Sequence, residues 1–218
     1  MWQQKLGLGL SDSFRLSVPE QLQTVARVGF DAFFSDDSEP AQRALPAEDL
    51  ARLGRDCGLL YQSIHAPFGK AADLWHEDAA AGDAAVQELL DSLERCRRAE
   101  VPLLVLHAFI GFDEHEPNER GIERFGRVVQ AAEGTGVRLA VENTEGEEYL
   151  FALLDAFRDN DTVGFCWDSG HEMCYNHSQD LLARYGDRLL ATHIDDNLGI
   201  RDHAGKITWH DDLHLLPF

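Results

Sequence analysis

The chain repeats one unit along its length: a short apolar run, a turn, then a longer amphipathic stretch. The apolar runs occupy residues 6–10, 32–34, 59–64, 103–106, 138–141, 163–167 and 189–192. Between them, residues 18–28, 47–57, 83–99, 118–133, 147–158 and 178–185 mostly place apolar side chains at i, i+3 and i+4, the spacing of one helix face. Seven strands alternating with helices are expected. The runs are apolar almost throughout instead of alternating, as in parallel strands covered on both faces. Two α/β architectures satisfy such a pattern, a (β/α)8 barrel and an open doubly wound sheet. No G-x-G-x-x-G follows the first run, which weakens the dinucleotide-binding open sheet. The barrel is the reading, as a single domain over residues 1–218. Such barrels typically take about 250 residues. Only residues 195–218 follow the seventh run, so an eighth strand and the last two helices are expected to be missing.

Local chemistry marks the boundaries. Ser17-Val18-Pro19-Glu20 offers a capping hydroxyl, a proline whose missing N–H costs nothing in a first turn, and a carboxylate at the positive end of the dipole. Gly29, Gly58, Gly136 and Gly186 fall where helices should end.

With 44% hydrophobic residues the chain can bury a core. Its 19 Lys+Arg against 39 Asp+Glu give a formal charge of −20. Such a field repels phosphate backbones and counts against nucleic acid as a partner. No leader-like apolar region opens the chain and no apolar stretch reaches bilayer length, so no membrane is expected as a partner and the cytoplasm is the default location. Cys57, Cys96, Cys166 and Cys174 are spaced neither as a metal knuckle nor as a disulfide framework and read as buried free thiols.

The informative residues follow the apolar runs. Run three ends in His65, run four in His107, run five in Glu142, run six in Asp168 with His171 three residues on, and run seven in His193. The carboxyl ends of barrel strands open on one face, which would gather these side chains into one site. Singly, each has a structural explanation, because strand-end polar residues are commonly just hydrogen-bonded. Together they carry a cost: two buried carboxylates beside several imidazoles oppose one another's ionisation unless a cation sits among them. Imidazole with carboxylate suits Zn²⁺, Mn²⁺, Co²⁺ or Fe²⁺, whereas pure oxygen sites suit Mg²⁺ and Ca²⁺. Glu142, Asp168 and His193 are the expected ligands. Asp212 and His214 in the tail are further candidates, as are His65, His107 and His171. The segment Asp73–Asp78 reads either as a lid, with Trp75 as an apolar wall for a sugar ring, or as a helix start. Glu145, Glu147 and Glu148 read as a negative first turn. Asp36 and Asp37 line the mouth or are solvated, and Lys70, Arg201 and Lys206 are the obvious loop cations near it.

The motifs Ser63-Ile64-His65-Ala66-Pro67, Val105-Leu106-His107, Val141-Glu142-Asn143-Thr144, Trp167-Asp168-Ser169-Gly170-His171, His193-Ile194-Asp195-Asp196-Asn197 and Asp212-Leu213-His214-Leu215-Leu216-Pro217 resemble the xylose isomerase-like TIM-barrel superfamily. That group holds sugar and sugar-phosphate isomerases and epimerases together with endonuclease IV-type nucleases. In the isomerase and epimerase members, the resemblance implies, Glu142, Asp168 and His193 match residues that hold one divalent ion, completed by an eighth-strand glutamate. There His171 matches a substrate contact. In the nuclease members His65, His107, Asp212 and His214 match further zinc ligands of a three-ion cluster. Nothing here matches the eighth-strand glutamate, so poor turnover by the chain alone is expected.

The leading expectation is a divalent-metal-dependent (Mn, Zn, Co or Mg) isomerase or epimerase of a sugar or sugar phosphate. Glu142 would act as metal ligand and proton carrier, with His65, His107, His171 and Trp75 against the substrate. A zinc phosphodiesterase and a catalytically impaired ligand-binding barrel are the alternatives. An open barrel exposes its first and last strands, and pairing into a homo-oligomer would repair them.

Overall fold

The computed structural model describes residues 4–112, 116–176, 179–198 and 207–215. Each apolar run forms a strand: β1 (Gly7–Gly9), β2 (Ala32–Asp36), β3 (Leu60–His65), β4 (Leu103–His107), β5 (Arg138–Glu142), β6 (Val163–Asp168) and β7 (Leu189–His193). They pair in chain order, all parallel. Among the described residues β1 and β7 have no outer partner, so the structure is an incomplete TIM barrel. The helices are α1 (Val18–Val28), α2 (Pro40–Arg43), α3 (Ala47–Asp56), α4 (Ala79–Ala99), α5 (Glu119–Ala132), α6 (Glu147–Ala156), α7 (Ser169–Cys174) and α8 (Leu181–Tyr185). No described helix is long and apolar enough to cross a membrane.

Strand alternation sorts the core into two layers. Leu104, Leu106, Leu139, Val141 and Phe165 pack outward among Val86, Leu93, Phe125 and Leu150 of the helices. Leu103, Val105, Ala140, Cys166 and Ala191 make a smaller cluster on the other face. Continuing that second register to the carboxyl end of each strand reaches His107 from Val105, Glu142 from Ala140, Asp168 from Cys166 and His193 from Ala191. The same two-residue period that builds the inner layer therefore aims the polar residues at the mouth.

Helix ends follow local chemistry, with differences. The Ser17 amide donates to Glu20 Oε2 at 2.9 Å, and Gly29 closes α1 with φ 98°. Gly186 does not behave as a left-handed cap: its φ is −62°, because α8 runs directly into a tight turn over Gly186–Arg188. Helix α4 begins at Ala79, before the expected residue 83, since the Asp78 carboxylate accepts the free amides of Ala80 and Ala81 at 2.8 and 3.2 Å. Helix α7 is capped by Asp168, whose Oδ1 accepts from the His171 amide at 2.7 Å.

Candidate metal centre

Register fixes the centre. Glu142 lies beside His107 on one flank and Cys166 on the other, Asp168 lies beside His193, and His65 beside Asp36. Glu142 is the hub. Its Oε2 is 3.0 Å from His65 Nε2 and 3.4 Å from His107 Nε2. Its Oε1 is 2.8 Å from His193 Nδ1 and 3.7 Å from His171 Nδ1. His193 Nδ1 also lies 3.9 Å from Asp168 Oδ2. Beyond them, His171 Nε2 is 3.1 Å from Asp212 Oδ2, which is 3.0 Å from His214 Nε2. The other His214 nitrogen lies 2.5 Å from Asp195 Oδ2.

The electrostatics follow from this packing. Burial pushes the Glu142 carboxyl up, but His193 beside it and hydrogen bonds from His107, His193 and His65 hold it well below the usual range. Burial works against charging His65, yet its hydrogen bond and attraction to Glu142 carry it up to about 9. His171 rises to about 10 against the same burial cost, through Asp168 and Asp212. His107 goes the other way: burial and its neighbours His65 and His171 outweigh Glu142 and lower it. Burial and the nearby Glu142 and Asp195 push Asp168 up to about 7 despite His171. Hydrogen bonds donated to Asp195 and Asp212 raise His214 to about 11.

Several expected residues lie elsewhere. Trp75 is not a wall of the mouth. Its indole is buried in the outer core, donates to the Ala108 carbonyl at 2.8 Å and packs on Tyr149 and on Gly121 of α5. An apolar ring of that size gains more from the helical layer than from solvent. Nor is its segment a free lid, since the Arg124 guanidinium donates to the carbonyls of Asp73, Leu74, His76 and Asp78. Asp37 is buried in ion pairs with Arg43 and Arg95, at 3.2 and 3.0 Å. Lys70 pairs with Glu88 at 2.9 Å. Glu145 precedes α6, and its Oε1 accepts from the Gly111 amide and from Trp209 Nε1. Arg201, Lys206 and residues 216–218 lie outside the described residues.

Other members of the centre carry little sequence signal. Asn143 clamps it, exchanging hydrogen bonds with the Asp168 main chain at 2.7 and 2.9 Å and accepting His171 Nδ1 on its carbonyl at 2.8 Å. Phe34 stacks on His193 and Phe68 on His107. A Cβ at Gly170 would meet Asp195 Oδ1 at 2.0 Å, so a larger residue there displaces the Asp195 carboxylate. The sequence signal for the clamp is slight: Asn143 directly follows Glu142 at the end of β5.

The donor set fits a divalent cation. Four imidazoles face one carboxylate, and they cannot all be charged in so small a buried volume. Neutral imidazole lone pairs and carboxylate oxygens gathered in groups of three are what a cation of the zinc or manganese type accepts. Ligand atoms lie within 4.8 Å of one another in four overlapping groups: His65–His107–Glu142, Glu142–Asp168–His171, Glu142–Cys166–His193 and His171–Asp212–His214.

The chain is 42% identical over 88 residues to the uncharacterized protein y4fM of Sinorhizobium fredii, covering 38% of this chain and 25% of that one. It is 29% identical over 147 residues to a probable endonuclease 4 of Cenarchaeum symbiosum, covering 63% and 50%. The chain thus spans half or less of the length of these relatives. Among solved structures, a 3-keto-D-glucoside 4-epimerase from E. coli superposes with a TM-score of 0.70 at 16% identity, over 95% of this chain and 85% of that one. That likeness shows the fold. A family model described as xylose isomerase-like TIM barrel matches residues 22–216, and the chain belongs to that family.

Proposed function

We propose that the chain catalyses isomerisation or epimerisation of a sugar or sugar phosphate by metal-dependent proton transfer. The observation that carries the reading is Glu142: a buried carboxylate at a strand end with imidazole nitrogens facing both of its oxygens. Glu142, Asp168 and His193 would hold the cation, the His193 Nδ1 lying 2.8 Å from Glu142 and 3.9 Å from Asp168, and His171 groups with the same two carboxylates. A divalent cation bound there supplies Lewis acidity, weakening the C–H bond next to a sugar carbonyl and stabilising the enediolate charge that follows.

The chain's own residues do the rest. Glu142 Oε2 accepts the proton, and His65 Nε2 at 3.0 Å shares the load on that oxygen. His107, stacked on Phe68, and His171, fixed through Asn143, orient the sugar hydroxyls. Phe34 and Phe68 keep water from the imidazoles they cover. Return of the proton to the neighbouring carbon isomerises the sugar, and return to the opposite face epimerises it.

A second reading is a zinc phosphodiesterase, and a specific observation favours it. His171, Asp212 and His214 form a donor group beyond the one around Glu142, as a multi-ion centre requires. The formal charge of −20 opposes a nucleic-acid substrate. Elemental analysis of the purified chain, then a sugar panel in deuterated water, tests the choice. About one exchangeable cation per chain, with deuterium entering carbon next to a carbonyl, is expected. About three tightly held zinc ions together with cleavage of an abasic duplex would overturn the proposal.

A further inference from the structure

The mechanism above leaves one member of the cluster unused. Cys166 lies on β6 two residues before Asp168, so both side chains share the inward face, and it is in register with Glu142 on β5. It is fully buried. Its Sγ lies within 4.8 Å of ligand atoms of both Glu142 and His193. The other buried thiols are spent differently: Cys96 Sγ donates to the Leu103 carbonyl and Cys174 Sγ to that of Asp211. Among the described residues, Cys166 is the cysteine that joins a group of potential ligands.

Three different donor types meeting at one buried point say more than a thiol packed in a core. Sulfur, imidazole nitrogen and carboxylate oxygen together suit a borderline-soft cation, and a thiolate discriminates strongly against Mg²⁺ and Mn²⁺. We propose that Cys166 Sγ is a ligand of the cation held by Glu142 and His193, so that the centre selects zinc or cobalt over magnesium or manganese. The inference rests on the metal-centre reading of the proposed function. As the sulfur–metal bond forms, the thiol proton leaves to solvent, and the oxidation state of the metal does not change.

Cobalt reports on both claims separately. Co²⁺ added to the metal-free chain is expected to give visible ligand-field bands together with a near-ultraviolet thiolate-to-cobalt charge-transfer band. Cys166→Ser and Cys166→Ala should abolish the ultraviolet band and keep the visible ones, while weakening retention of zinc against manganese. Cys57→Ala, Cys96→Ala and Cys174→Ala should each leave the ultraviolet band intact, which assigns it by elimination to Cys166 without touching the centre if the Cys166 variants fail to fold. Visible bands without the ultraviolet one, or an ultraviolet band that survives loss of Cys166, would overturn the sulfur ligand and leave the metal centre standing. A folded chain that shows neither band would overturn both.

Discussion

Glu142 sets the acid–base behaviour of the metal-free chain. It is held below its ordinary value of 4.5, so its contribution to stability is present above 4.5 and is lost as pH falls through the lower folded value. Its partners act in the opposite sense. His65, raised from 6.5 to about 9, contributes fully below 6.5 and loses that contribution as pH rises through 9. His171 does the same up to about 10, and Asp168, raised from 3.8 to about 7, loses its share between those two values. In chelator, urea midpoints should therefore fall toward pH 10, most clearly above pH 6.5, because below it His107, lowered from 6.5, adds stability as pH rises and opposes Asp168. Glu142→Gln removes the anion that raises His65 and should flatten the part of that decline between 6.5 and 9; an unchanged slope would show that another group holds His65. Much of this cluster was legible, because a polar residue ending a buried run can only project from the strand's open end. Trp75, Asp195 and Cys166 were not. Whether an indole lines a mouth or a helix depends on Gly121 opposite it, and whether a thiol lies beside a carboxylate depends on the register between β5 and β6.

At the scale of elements, helix α5 provides a controlled comparison. A Cβ at Gly121 would lie 2.0 Å from Trp75 Cε3, whereas one at Gly126 would meet Phe157 Cζ at 3.6 Å, an ordinary contact. Alanine gains up to about 1 kcal/mol over glycine in a helix interior, and overpacking costs roughly 1–3 kcal/mol. Gly126→Ala, in the helix interior, should accordingly raise the urea midpoint, and Gly121→Ala, in the first turn, should lower it because overpacking outweighs any propensity gain. A Gly121→Ala variant as stable as the parent would mean that the indole can leave its place. Strands and long helices were readable from the sequence because burial imposes a period on them. Helix α7 was not: its six residues carry too short a pattern, and its cap, Asp168, is also the last residue of β6. Gly186 misled for a related reason, since a glycine after a helix marks an ending but not the turn that follows.

For the whole molecule two effects compete. Strands β1 and β7 are unpaired at the outside of the sheet among the described residues, and exposed Leu6, Leu189 and Ile194 lie along or beside them. Such edges are templates for pairing with another chain. Against this stands a formal charge of −20, which makes every copy repel every other. The repulsion reaches about 30 Å at 0.01 M salt but only about 8 Å at 0.15 M. Strand pairing acts over hydrogen-bond distances and is hardly screened. The balance should tip with salt: light scattering is expected to give the monomer mass at low ionic strength and a mass that rises with protein concentration at physiological ionic strength. Leu189→Lys, which places a charge on the β7 edge, should restore the monomer. A mass independent of salt and unaffected by that substitution would mean that the edges are covered within the chain, and the acidity would then have to be explained by something other than keeping copies apart.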